Sequence, residues 1–468
     1  MATKKKPSTD QSYTSPVDYL GTLGDLEKTC HLQSITLSAE DRISSGNICL
    51  DLLLGGGFSP SMTTFSGGEQ TCKTTTAITA MAASVTQKVG MRVLWDAEGS
   101  SGSSTDYVSN IFETMGVNVD IETLFGVREK GKYTTPPLVY YRDEGSMEDF
   151  FGWTAGLLRR LPDKRKENGK WWYIYEGTRE NKAQYKDQMD LQMSRANDAV
   201  YIEAEDGALQ AFIIIDSWPS LLPASMDTDD PKAGMALVAR EFSKHVPRVK
   251  GKLRAKRVII LGINQLRQKP GVLYGDPRYE PGGEALKFYS DVRCWYTARS
   301  LSGVPFNPKG KGQIEEEEGV DGGTDIYRYV HVKAIKNKLA IPNRETWLRV
   351  WVSDAQQQAH GLDPVWDTFY ALSLTGQVSG KRSSMLLNVH GLGEAQKNIN
   401  WAQFKTLVLG TKEDQTAIYD KIGYKTINLR KGLFNLSKKG IMEKLYMEAK
   451  NTKTSGKAEE DEAEDDDE

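Results

Sequence analysis

The stretch GGEQTCKTT, Gly67 to Thr75, sets a lysine and two threonine hydroxyls shortly behind a glycine pair. In a glycine-rich turn at a helix start, backbone N–H groups cradle phosphates, a lysine meets the β/γ-phosphates and a hydroxyl meets Mg²⁺. Lys73 and Thr74 suit those two roles, with Gly67, Gly68, Glu69, Gln70, Thr71, Cys72 and Thr75 as the rest of the candidate nucleotide cradle. The pattern G-x-x-x-x-G-K-[ST] is broken, because Cys72 takes the place of the second glycine. Alone, the segment reads either as a phosphate loop or as a structural glycine turn. Two acids extend it. Asp216 closes the apolar run AFIII and could hold Mg²⁺ through water, while Glu98, just after MRVLWDA, could orient or deprotonate an attacking water. Each acid by itself also fits a helix cap; at adjacent strand ends with Lys73 and Thr74 they describe ATP·Mg²⁺ chemistry.

Residues of this kind need a scaffold that brings strand ends together. Three short apolar runs, Met91 to Trp95, Ala211 to Ile215 and Arg257 to Ile263, each run into polar residues, as buried parallel strands with a site at their carboxyl edge do. Thr63 to Phe65 precede the glycine turn, and Ile78, Met81, Ala82 and Val85 follow it at helical spacing. The alternation predicts an α/β core with helices on both faces of a mainly parallel, twisted sheet. Residues 165–207 read as an insertion, polar with clustered aromatics, and Glu315 to Glu318 as a solvated hairpin tip. Beyond the strand-like WLRVWV, Trp347 to Val352, residues 356–457 predict a smaller, more helical C-terminal α+β domain. That leaves 42–355 for the core, 1–41 for a short N-terminal arm with a helix near Tyr19 to Lys28, and 458–468 for a disordered acidic tail.

Composition narrows the class. With 26% charged and 39% hydrophobic residues, the chain is globular rather than fibrous or disordered. No apolar run approaches the roughly 18 residues of a membrane helix, and no apolar stretch follows the basic start MATKKK, so the expectation is a cytoplasmic protein without a membrane partner. Four scattered cysteines argue for neither a disulfide framework nor a zinc site. A net charge of −3 conceals nine acids among the last ten residues, hence a basic body with an acidic tail.

The segment INQLRQKPGVLYGDPRYEPGGEALKFYSDVR, Ile263 to Arg293, resembles the RecA recombinase family, in which a strand ending in Asn-Gln enters a DNA-binding loop that closes on Gly-Gly-x-Ala-Leu-Lys-Phe-Tyr. The likeness runs in the same order from about Ile43 to Val352, and more faintly from Gly361 to Gly376. Cys72 and the insertion make the chain look most like bacteriophage-type, UvsX-like members. The resemblance implies a RecA-like P-loop ATPase core using ATP and Mg²⁺, with Lys73, Glu98 and Gln265 catalytic, Gln265 as γ-phosphate sensor, and Thr74 and Asp216 on the metal. It also implies that Lys336 and Lys338 reach the nucleotide of a neighbouring subunit, and that Lys287 and Phe288 contact that subunit. Tyr107 is the candidate for stacking on adenine, with a place in the core as its other reading.

For DNA, the resemblance implies Met235 wedged between base triplets, Arg240 on backbone phosphate, and Arg267, Lys269, Pro270, Val272, Gly282 and Gly283 along the second loop. Single-stranded DNA, homologous double-stranded DNA, copies of the chain in a helical filament, and a single-strand-binding or mediator protein are the implied partners. The basic run KHVPRVKGKLRAKR, Lys244 to Arg257, reads as a solvated helix face or as part of the DNA path. Leu20, Leu23 and Leu26 are candidates for a polymerisation helix, and the acidic tail for a brake on duplex entry or a solubility segment. Beside Lys73 at a helix start, the Cys72 thiol is expected to ionise below its ordinary pKa and to be shielded from alkylation by ATP. Two rival readings stay open: a RecA-fold DNA motor or helicase, and a weakly hydrolysing single-strand-binding accessory factor.

Overall fold

The computed structural model describes residues 42–450 except 88, 100–104, 131, 144, 227–230, 269–277, 307, 309, 320–321, 355–357, 392, 396 and 425–427. The expected arm and acidic tail, with Leu20, Leu23 and Leu26, lie outside the described residues, as do Lys269, Pro270 and Val272.

The framework is α1 (Ile48–Leu54), β1 (Met62–Gly67), α2 (Lys73–Val85), β2 (Met91–Asp96), α3 (Thr105–Thr114), β3 (Tyr140–Arg142), β4 (Ala211–Asp216), α4 (Pro231–Leu253), β5 (Val258–Gln265), α5 (Gly283–Tyr289), β6 (Val292–Ala298), β7 (Ile314–Glu318), β8 (Thr324–Asn337), β9 (Glu345–Ser353) and α6 (Pro364–Leu374). The strands join one sheet in the order β7-β8-β6-β1-β5-β4-β2-β3, and β9 pairs with β8. From β6 to β3 every neighbour is parallel, whereas β7, β8 and β9 form an antiparallel arm. This is the expected α/β class with a mainly parallel central sheet.

Strand alternation decides which side each residue serves. In β4, Phe212 and Ile214 join Ile78, Met81, Val108 and Phe112 on the α2–α3 face. Ile213 and Ile215 join Trp95, Phe150, Trp218 and Phe242 on the face covered by α4 and the helix Met147–Arg160. Both faces are dry, which is why these runs are continuously apolar. The segment read as an insertion forms a three-stranded antiparallel sheet, Asp163–Glu167, Lys170–Glu176 and Ala199–Ala204, with two short helices.

A third core joins α1 to the chain beyond 360: Ile48, Cys49 and Leu52 pack with Trp366, Phe369, Met385, Phe404 and Leu433. The seam is also polar. Asp367 of α6 accepts from the N–H groups of Ile48 and Cys49 at 3.0 and 2.9 Å and from Arg430 at 2.7 Å, so a buried carboxylate serves the otherwise unbonded donors at the start of α1. Here the structure corrects one expectation. Glu315 to Glu318 form β7, and only Glu316 and Glu318 face solvent. Glu315 is 1% exposed; it and Glu317 lie 3.0 and 2.9 Å from the Arg349 guanidinium, which also holds Asp363 at 3.1 Å. Arg382 reaches both glutamates at 2.8 and 2.7 Å. Alternation puts two of the four acids inside, where distant arginines neutralise them.

Candidate nucleotide and nucleic-acid sites

β1 delivers the glycine turn to the carboxyl edge of the sheet. Gly67 has no room for a side chain, because a Cβ would sit 2.5 Å from Thr71 Oγ1 and 2.7 Å from the Tyr296 carbonyl. Gly68, Glu69 and Gln70 are exposed, and α2 begins at Lys73. Cys72 holds φ 61° and ψ 28°, the left-handed conformation that glycine adopts freely and other residues at a cost of about 1 kcal/mol. The loop thus keeps its glycine geometry with the glycine replaced. Lys73 Nζ folds over it, donating to Gly68 O at 2.6 Å and Thr71 Oγ1 at 3.3 Å.

The two acids arrive on neighbouring strands. Asp216 stands in register with Asp96 at the ends of β4 and β2, and Thr74 Oγ1 donates to Asp216 Oδ2 at 2.6 Å. Burial, helped by Glu98 and Asp96, pushes the Asp216 carboxyl up to about 7 against the Thr74 hydrogen bond and Lys73. Glu98 is exposed, and its Oε1 accepts from the Ser217 hydroxyl and, at 3.3 Å, from Ser220. Burial lowers the Lys73 ammonium below its ordinary value, opposed first by Asp216. Gln265 ends β5 in register with Gly67, and Leu266 N bonds Gly67 O at 3.0 Å. Lys73, Thr74, Asp216, Glu98 and Gln265 therefore share one edge.

The residues present fit ATP·Mg²⁺. Asp216 is a buried carboxyl in acidic company, a place that gains from a cation. Among the described residues no cluster of three or more His, Cys, Asp or Glu could hold a metal. A cleft of about 300 Å³ beside the loop is lined by Gln70 to Thr75, Tyr107, Arg328, Val350, Trp351, Val352 and Ala359. Tyr107 meets Thr75 Oγ1 at 2.5 Å, half in the cleft and half against the core. Arg328 and Trp351 were not legible as site residues; they come from the antiparallel arm more than 250 positions beyond the loop. Cys72 is the second correction. Burial pushes its thiol up to about 11 despite Arg328 and Lys73, so desolvation outweighs the helix start and the neighbouring charge.

The nucleic-acid candidates gather on α4, α5 and a short hairpin. Met235 is 57% exposed and Arg240 stands out from α4. Arg267–Gln268 pairs with Arg278–Tyr279 across 269–277. Gly282 and Gly283 take φ 96° and 75°, and a Cβ on Gly283 would lie 2.8 Å from Ala239 Cβ, so these glycines let α5 dock on α4. Much of the basic run is committed elsewhere: Lys244 pairs with Glu241, Lys250 with Asp291 and Lys256 with Asp163, while Arg257 stacks on Trp171. Arg248, Lys252 and Arg254 remain exposed.

Lys336, Lys338, Lys287 and Phe288 form a separate patch. Lys336 Nζ donates to the carbonyls of Lys287 and Phe288 at 2.7 and 2.8 Å, Lys338 lies 5.6 Å from the Phe288 ring centroid, and Phe288 is 66% exposed. Lys336 pairs with Arg293 and Arg293 with Thr64, three residues back from Gly67, so the patch lies toward the amino end of the parallel strands, about 10 Å or more from the loop at ~3.3 Å per residue. Burial and the neighbouring Lys338 and Arg293 push Lys336 down to about 8.

Residues 193–355 match the family model of the RecA N-terminal domain. The chain is similar to RecA. It is 32% identical to RecA of Thermus aquaticus over 204 residues, 43% of this chain and 53% of that one. RecA of Streptococcus sanguinis strain SK36 is 32% identical over 147 residues, 31% and 35% of the two chains, and RecA of Lactococcus lactis subsp. cremoris strain MG1363 is 35% identical over 131, 28% and 30%. The chain thus spans about half the length of the first relative and about a third of the others. The family match begins beyond the glycine turn and takes in Asp216, Gln265, Phe288 and Lys336. No helix among the described residues is long and apolar enough to cross a membrane.

Proposed function

We propose that this chain is an ATP-dependent DNA strand-exchange recombinase of the phage-encoded, UvsX-like kind, acting in the cytoplasm of its host as a helical filament on single-stranded DNA. The observation that carries the reading is the place of Gln265: in register with Gly67 at the phosphate loop, and two residues before Arg267, where the hairpin toward 269–277 begins. A side chain there would sense the γ-phosphate and pass its presence to the residues that follow.

The hydrolytic roles follow from the site. Lys73 would leave Gly68 O for the β/γ-phosphate oxygens and offset charge developing there. Thr74 and Asp216 would hold Mg²⁺, which would supply further charge neutralisation at the phosphates. Glu98, fixed by the Ser217 and Ser220 hydroxyls, accepts the proton of the attacking water. Lys336 and Lys338, remote from their own loop, would serve a neighbour's nucleotide, with Lys287 and Phe288 at the same junction. Met235, Arg240, Arg267, Gly282, Gly283 and the positions 269, 270 and 272 would face DNA, giving salt-sensitive, sequence-independent binding.

Joint-molecule formation between homologous single-stranded and duplex DNA with ATP·Mg²⁺ tests this. Homology-dependent exchange that disappears in Lys73→Ala supports it. Unwinding of a forked duplex without exchange would favour a motor, and single-strand binding indifferent to Lys73→Ala an accessory factor.

A further inference from the structure

Arg328 is a cation in the nucleotide cleft with too few partners. It lies on β8 opposite Val350 of β9, and none of the ion pairs among the described residues includes it. Its Nη1 donates to Gln70 Oε1 at 3.2 Å, while Nε is buried without a hydrogen-bond partner among the described residues. A guanidinium does not escape burial by losing its proton, so a half-covered, uncompensated arginine is an anion site.

Its aim has a local cause. The β8–β9 register shifts between Ile326 and Tyr327, directly before Arg328, and such irregularities redirect side chains beside sites. Val350, Trp351 and Val352 all line the same cleft, which three consecutive residues of a regular strand would not do. The contact with Gln70 also lands on one of the loop's two left-handed positions, Gln70 at φ 54° and Cys72 at φ 61°.

We propose that Arg328 is a second cationic ligand of the nucleotide polyphosphate, acting from the antiparallel arm of its own subunit and exchanging Gln70 for a phosphate oxygen. This rests on reading the cleft as a nucleotide site. A donor-only, permanently charged group finds its strongest acceptors on phosphate, and Lys73 approaches the same loop from Gly68.

The test is fluorescence titration of the full chain with a ribose-labelled ATP analogue, followed by its displacement with inorganic tripolyphosphate. Arg328→Gln should weaken both by about tenfold, and Arg328→Lys should recover part of the loss. Parent-like affinity in Arg328→Gln, when Lys73→Ala is weakened, would overturn the proposal. So would a loss seen with the analogue but not with tripolyphosphate, which makes Arg328 a base or ribose contact. If Lys73→Ala and Arg328→Gln both bind like the parent, the nucleotide reading itself falls. Urea midpoints of the variants confirm that each is folded.

Discussion

Two groups of charged residues occupy opposite situations in this molecule. At the seam between the sheet and the chain beyond 360, Glu315, Glu317 and Asp363 are enclosed with Arg349 and Arg382, and those arginines hold the Glu317 carboxyl at about 2 against the opposing effect of burial. At the carboxyl edge, Asp216 is also enclosed but keeps acidic company, and its carboxyl rises to about 7. The seam is electrostatically complete as folded, whereas the edge keeps a buried carboxyl among like charges. Charges of the first kind specify structure, and charges of the second mark a ligand.

The contrast breaks most sharply at Arg349. Arg349→Met leaves Asp363 buried without its cation and Glu315 and Glu317 with Arg382, and should lower unfolding free energy by about 3–5 kcal/mol in urea titration, while folded protein still binds nucleotide. Lys73→Ala should do the reverse, cutting DNA-stimulated ATPase by roughly 10²-fold or more with an unaltered urea midpoint. Asp216→Asn sharpens the comparison further. Its folded pKa lies above the ordinary 3.8, so the native state binds the extra proton and stability falls as pH rises from about 4 through 7. Removing the charge should stabilise the nucleotide-free chain at pH 8 by on the order of 2 kcal/mol and abolish hydrolysis; a destabilised variant would show that the carboxylate is already satisfied. Glu317 has the opposite sign, with a folded pKa of about 2 against 4.5. Its stabilisation is present above about 4.5 and lost as pH falls toward 2, so Glu317→Gln should flatten that limb of a pH–stability curve.

The same contrast explains what could be read from sequence. The loop, the strand-end acids and Gln265 are local: a glycine turn, a helical period and a short apolar run announce each within about ten residues, and the parallel sheet then gathers them. The seam is not local. Glu315 and Glu317 precede Arg349 by more than thirty positions and Arg382 by more than sixty, and without those partners four glutamates in a row look solvated. Cys72 failed for a related reason, since its neighbours in sequence predict a reactive thiol and burial decides otherwise. Within the basic run the partners of Lys256, Lys250 and Arg257, namely Asp163, Asp291 and Trp171, were likewise beyond local reading because they lie elsewhere in the chain.

The sheet carries its glycine turn at one end of the strands and Lys336 with Phe288 toward the other. Under the proposed assembly these two surfaces meet only between different copies, always in the same sense, so no two-fold closure satisfies both. A stack of such subunits has a direction, and its terminal members differ: one keeps an unshared nucleotide cleft, the other an unshared lysine pair. The number of finished sites is then always one less than the number of subunits. Short stacks are penalised most by that deficit, and the two ends are free to grow and shrink at different rates.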